Sequence, residues 1–233
     1  MHIWRLIRTA SPAANLLAGA SLALLVLKIL VLNAQPAPLS AVHDLGLLTE
    51  AVLASVVASY AFYLVVVHLP DTRDRAVTRP YVAKHSARVV AVCHQQLAGF
   101  SHASGISLSL ATLTQEVVES AFKKLAPASE APMLFYPQNK AANWLEYFEY
   151  HIGKSRESIA RVFAQMKYID AGLVALLAAI DDCSHFEHLT LTGSDFPVRN
   201  TDLTAWAPAF FEYAVACRHL DAMLHTDTPA HAA

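Results

Sequence analysis

Charge is what this sequence has least of. Asp, Glu, Lys and Arg make up 15% of its 233 residues, with a net charge of −2, whereas soluble domains carry roughly a quarter. A disordered chain is excluded, because disorder goes with low hydrophobicity and here 55% of residues are hydrophobic. Polyanion binding driven by bulk positive charge is excluded by the charge balance. Cysteine is scarce too. Cys93, Cys183 and Cys217 are odd in number and match neither zinc spacing nor a disulfide framework, so reduced, buried thiols are expected. The chain has no Gly-rich phosphate loop, no G-x-S-x-G, no H-E-x-x-H and no CxxC. It shows no strand pattern, no repeat and no low-complexity tract.

What is present is apolar and unevenly placed. Residues 1–70 carry five charges: Arg5, Arg8, Lys28, Asp44 and Glu50. Two apolar runs, 13–32 and 47–67, each reach the roughly 20 residues that cross a bilayer core. The first exceeds the 7–15-residue apolar stretch of a signal peptide and is followed by the second, so an uncleaved hairpin is expected. Residues 33–46, with Pro36 and Pro38, form its loop. That loop has no Lys or Arg. Arg5 and Arg8 precede the first run, and Arg73, Arg75, Arg79, Lys84 and Arg88 follow the second. The positive-inside rule then places both ends in the cytoplasm. Trp4, Tyr60 and Tyr63 are candidate interfacial aromatics, with Tyr60 rather deep for that role.

Each run is interrupted by one charge. Lys28 and Glu50 lie at matching distances from the middle of the loop, so a symmetric hairpin sets them at equal depth. Lys28 continues a stripe of Ala14, Ala18, Ser21 and Leu25. Glu50 heads another of Ala54, Ala58 and Ala61. Small stripes allow close helix approach in lipid, and packing them together predicts an intramembrane ion pair. An unpaired charge at the centre of a span costs about 2.5–3.5 kcal/mol. The alternative for each charge is to snorkel outward.

The rest reads as a helical bundle. Pro70 ends the second run, and 71–80 is a basic juxtamembrane linker suited to anionic headgroups. Helices are expected at 81–100, with Val82, Val89, Cys93 and Phe100 on one face, and at 108–125. A loop marked by Pro127, Pro132 and Pro137 follows. A short helix, 141–152, is then broken at Gly153 from a long one, 155–189. The long helix has the seam Ile159, Val162, Met166, Ile169, Leu173, Leu176 and Ile180. Residues 190–200 form a loop. Thr201 or Asp202 caps a last helix with the seam Leu203, Trp206, Phe210, Tyr213, Cys217, Leu220 and Leu224. Two seams at heptad spacing favour antiparallel, coiled-coil-like packing and association between subunits. The fold class is thus all-α: a two-helix transmembrane hairpin (1–70), then a cytoplasmic four- to five-helix bundle (81–226) and a flexible tail (227–233).

Candidate chemistry is sparse. Asp181, Asp182, His185, Glu187 and His188 could offer two or three metal ligands from one helix face. No matching Glu-x-x-His stands elsewhere, so a solvated helix end is expected, its histidines favourable to the helix dipole. Glu146, Glu149 and His151 are read as an exposed face. No metal and no cofactor are expected. The stretch from Arg218 to His225, Arg-His-Leu-Asp-Ala-Met-Leu-His, resembles the R-x(4–6)-H motif of HEPN ribonucleases, helical bundles that cleave RNA as dimers. That resemblance implies phosphate binding and acid–base work by Arg218 and His225, paired across a two-fold axis. Residues 141–233 hold 6 basic and 12 acidic residues, which disfavours nucleic acid. The expected protein is a bacterial inner-membrane homo-oligomer. Its cytoplasmic bundle senses a small ligand or binds a protein partner, and its hairpin is a scaffold or a membrane-perturbing, channel-like effector in stress or phage defence. A membrane-tethered ribonuclease is the alternative.

Overall fold

The computed structural model describes residues 7–32, 40–135, 139–191 and 200–226. Residues 1–6 with Trp4 and Arg5, residues 33–39 and 192–199 of the expected loops, 136–138 with Pro137, the tail 227–233 and the His188 side chain lie outside the described residues. The chain divides into two compact units, Met1–Val77 and Thr78–Ala233. It is predominantly helical, with a single two-stranded ribbon among the described residues.

In the first unit, α1 (Pro12–Leu27) starts with Pro at its first turn, where a missing N–H costs nothing. It runs on as a π turn over Lys28–Leu32. Helix α2 spans Ser40–Phe62 and so begins earlier than the sequence suggests. Pro70 does not end it. A π turn over Tyr63–His68 follows, and α3 runs from Leu69 to Ser104. A proline ring clashes with the carbonyl four residues back. The wider π turn removes that clash by shifting the bonding, as the Leu69 N–H donating to the Leu64 carbonyl shows. The expected linker at 71–80 is therefore helical, with Pro80 inside α3.

Burial in this unit is inverted relative to a water-soluble protein. On α1 the buried residues are Ala18, Ser21 and Lys28, while Leu16 is 75% and Leu30 is 70% exposed. On α2, Leu48 and Phe62 are likewise exposed, as is Val65 in the π turn after it. The inner face of α2 and the π turn after it is Glu50, Leu53, Val57, Tyr60 and Leu64, spaced 3-4-3-4. The expected stripe of Ala54, Ala58 and Ala61 points outward instead. Starting from Glu50, a step of three rather than four rotates the face away from the alanines.

The second unit is a helical bundle around an aromatic core. Phe100 of α3 lies 4.9–5.4 Å, centroid to centroid, from Phe122, Trp144, Phe148 and Phe210. Val82, Val89, Cys93 and Phe100 are all buried, as their helical spacing suggests. The next helix is short: α4 is Gln115–Phe122. Leu108, Leu110 and Leu113 are buried without helix. Apolar side chains there satisfy the core from turns, and Ser101 Oγ accepts the Leu108 N–H at 2.9 Å.

The proline-marked loop contains an antiparallel ribbon, β1 (Glu130–Phe135) with β2 (Lys140–Asn143). Pro132 sits in β1; a two-stranded ribbon leaves outward positions where no N–H is required. Asn143 then caps α5 (Trp144–Phe163). Asn143 Oδ1 accepts from the Glu146 N–H at 2.9 Å, and Glu146 Oε2 accepts from the Asn143 N–H at 2.8 Å.

Helix α5 continues through Gly153. A glycine in a helix costs about 1 kcal/mol, less than is gained by burying Trp144, Phe148, Ile159 and Val162 on one face. The break comes later. Asp170 Oδ1 accepts the Gly172 N–H at 2.8 Å and starts α6 (Ala171–Asp181), followed by α7 (Ser184–Leu191). The long seam is therefore split: Met166 is 52% exposed, and Leu177 rather than Leu176 is fully buried. Asp202 Oδ1 accepts the Thr204 N–H ahead of α8 (Ala207–Thr226). The last seam is buried from Leu203 to Leu220, but Leu203 and Trp206 belong to a 3-10 turn ahead of α8 rather than to the helix, and Leu224 is only partly buried. Helix α8 packs on α4, α6 and α7, which is why its apolar face must be continuous.

Candidate functional site

Three polar pairs cross between the two arms of the hairpin. Lys28 Nζ lies 2.7 Å from Glu50 Oε2, with side chains 11% and 34% exposed. The Tyr60 hydroxyl donates to Asn15 Oδ1, and Asn15 Nδ2 donates to the Ile7 carbonyl at 2.7 Å. Thr9 Oγ1 and His68 Nε2 share a hydrogen bond of 3.0 Å, and the buried His68 ring stacks on Tyr63 with centroids 6.0 Å apart. Residue numbers rise on one helix as they fall on the other, so the helices are antiparallel. From Glu50 to His68 the helix rises roughly 27 Å at about 1.5 Å per residue, close to the roughly 30 Å of a bilayer core. Lys28 opens one π turn and His68 closes the other. Such turns occur frequently at functional sites.

Sequence reasoning singled out Lys28 and Glu50, and the structure brings them together. It missed the other two pairs. The signal for one was available: Asn15 is an amide inside an apolar run, and Tyr60 is too deep for an interfacial aromatic. Each is explained by the other. Beside this pair a groove of 480 Å³ opens between the helices, walled by Ala14, Ala18, Ser55 and Ser59.

The remaining candidates in the bundle are placed apart. His225 Nε2 turns back to Asp221 Oδ1 at 3.4 Å on its own helix, with its side chain 79% exposed. Arg218, two turns earlier, is half-buried on the same helix. Asp181 faces Arg156 at 3.7 Å. His185 is not at a solvated helix end: it is fully buried, 5.1–5.3 Å from the rings of Phe148, Phe210 and Tyr213. His151 is likewise buried rather than on an exposed face, and burial lowers its pKa to about 4. Glu146 is held by Lys140 Nζ at 2.7 Å and by the helix cap, which keep its carboxyl below the usual range. Among the described residues no three His, Cys, Asp or Glu side chains are placed to hold a metal ion. Cys93, Cys183 and Cys217 are free and buried; burial raises the Cys183 thiol to about 11.

Comparison with family models, with curated proteins and with solved structures finds no match for this chain. Two helices are long and apolar enough to cross a membrane, and the fold class is all-α. The site defined by the geometry is the polar seam of an apolar helical hairpin.

Proposed function

We propose that this chain is an integral protein of a bacterial inner membrane. Its hairpin spans the bilayer, both termini are cytoplasmic, and its helical bundle receives a signal in the cytoplasm. The observation that carries the reading is the inverted burial of the first unit: leucines and valines outward, Lys28, Ser21 and the polar pairs inward. In water such a surface would aggregate. In hydrocarbon it is the stable arrangement, because polar groups must find partners inside the protein and apolar side chains face the lipid. The basic residues flanking the hairpin, with none in the loop, support the orientation.

We further propose that the chain works as a homo-oligomer, and that the hairpin carries out the response as a membrane-perturbing effector. A seam of polar pairs from one end of the spans to the other can exchange partners with a second copy and admit water or ions. The test is expression of the full chain in bacteria with reporters at residue 39 and after residue 233, together with membrane potential and RNA integrity. The reading expects the first reporter outside, the second inside, depolarisation on overexpression and intact RNA. A loop reporter in the cytoplasm would overturn the topology. RNA decay abolished by His225→Ala, with no depolarisation, would replace the effector by the nuclease.

A further inference from the structure

Between Asp74 and Glu116 the chain has no acidic residue, so the part of α3 that enters the second unit is purely basic. Lys84 and Arg88 stand four apart on it, like charges at a spacing that is unfavourable in a helix. Both are exposed, and neither makes a contact ion pair among the described residues. Between them on the helix lies His85, buried at 5% exposure, with the Tyr81 ring against it at 4.4 Å between centroids. Helix α5 brings further charge to the same place. Burial lowers the His85 pKa, and Arg161, Lys84 and Arg88 lower it further, while Glu157 alone acts the other way. Three cations from two helices therefore gather about one uncharged ring.

Glu157 is the carboxylate of this group, and it is already shared. Arg161 holds it at 2.7 Å and Lys154 reaches it at 3.7 Å. Arg161, then Lys154, keep its carboxyl below the usual range, and Arg88 adds to their effect. Four cations, Lys84, Arg88, Lys154 and Arg161, thus answer to one acid, an excess of three positive charges on a chain whose net charge is −2. Like charges crowded together repel, and an anion placed among them removes that repulsion. The residue types select the anion. A carboxylate brings a single charge, and the group already holds one. A phosphate group brings about −1.5 to −2. Its oxygens match planar guanidinium forks, which Arg88 and Arg161 supply from different helices, and Lys84 adds a point charge.

We propose that Lys84, Arg88 and Arg161 form a binding site for a phosphate group, carried by a soluble phosphate compound or by a lipid headgroup. The site does not depend on the topology of the hairpin. Its meaning as an input to the bundle rests on the sensing role proposed above.

The test uses the full chain in phosphatidylcholine nanodiscs, titrated calorimetrically with inorganic pyrophosphate at fixed ionic strength. One saturable site per chain is expected. Arg88→Gln combined with Arg161→Gln should weaken it at least tenfold. Lys123→Gln, which removes an exposed cation at the end of α4, should leave the affinity within twofold. A second arm separates the two sources, using nanodiscs that contain phosphatidylglycerol and native mass spectrometry of the released chain. A phosphatidylglycerol molecule retained by the wild type and lost from the double variant assigns the site to a headgroup. Pyrophosphate binding with no retained lipid assigns it to a soluble phosphate. No saturable pyrophosphate binding, binding that survives the double change, or an equal loss in Lys123→Gln would each overturn the proposal. If the double variant does not fold, Arg88→Gln alone decides, with an expected loss of at least threefold.

Discussion

Removing one member of the Lys28–Glu50 pair tests the hairpin most directly. The contact is 2.7 Å, and Lys28 is the more enclosed partner, at 11% against 34% exposure. Glu50→Gln leaves the ammonium without its carboxylate. A lone charge costs about 2.5–3.5 kcal/mol at the middle of a span and less near its end, and Lys28 lies in the last turns of its helix, so a loss of about 2 kcal/mol is expected. Lys28→Met leaves the better-solvated Glu50 and should cost about 1 kcal/mol. The double variant removes both desolvation penalties and should cost less than either single change, because a buried pair gains little over an apolar replacement. The exchanged pair, Lys28→Glu with Glu50→Lys, should recover most of the wild-type stability. Reversible unfolding in bilayers gives the four corners of the cycle. The expected coupling is at least about 2 kcal/mol. A coupling below about 0.3 kcal/mol would refute the argument, since it would mean each charge snorkels to water by itself.

Three more outcomes follow from the bundle. Gly99→Ala should destabilise it by about 1–3 kcal/mol, because the new methyl meets the Tyr147 hydroxyl at 2.5 Å. Tyr147→Phe alone should cost about 1 kcal/mol, and the two together less than their sum in urea denaturation. Strict additivity would contradict the contact. His151 titrates near 6.5 when unfolded and about 4 when folded, through burial. Unfolding therefore takes up a proton below pH 6.5. The stability this group supplies is complete above pH 6.5 and is lost as pH falls towards 4, by on the order of 2 kcal/mol. Burial lowers His85 in the same direction. His151→Gln should flatten the curve between pH 4 and 6.5, and an unchanged slope would show that other groups carry it. The three thiols should resist maleimide at pH 7 in the native state and label fully in denaturant, since all are buried and the Cys93 and Cys183 thiols are held above their usual pKa. Rapid native labelling of Cys93 or Cys217 would mean the bundle opens at α3 and α8.

Part of this protein is written in local pattern. The two apolar runs, the small positions on α1 with Lys28 just beyond it, and the α8 face from Phe210 to Leu220 are legible because helical period and burial coincide there. The polar start at Asp202 is legible too, although its carboxylate accepts one N–H, that of Thr204, in the turn ahead of α8 rather than capping the helix itself. The charge scarcity that marks the sequence also locates the hairpin residues, since Lys28 and Glu50 stand out only against an apolar background.

Other features depended on what a segment packs against. Gly153 looks like a helix breaker, yet the aromatic face of α5 outweighs a penalty of about 1 kcal/mol. Pro70 looks like a terminator, yet a π turn before it clears the ring. Ala54, Ala58 and Ala61 look like a packing stripe, yet Glu50 reaches Lys28 only when the helix turns them outward. The ribbon at Glu130–Asn143 lies among prolines that mask it. His151 and His185 read as solvated surface residues because polarity is visible in sequence and burial is not. By itself the sequence determined the apolar spans, the helical class and one continuous seam, each a property of neighbours along the chain. Only the tertiary structure decided which polar groups meet and which are enclosed, because pairing and desolvation depend on residues far apart in the chain.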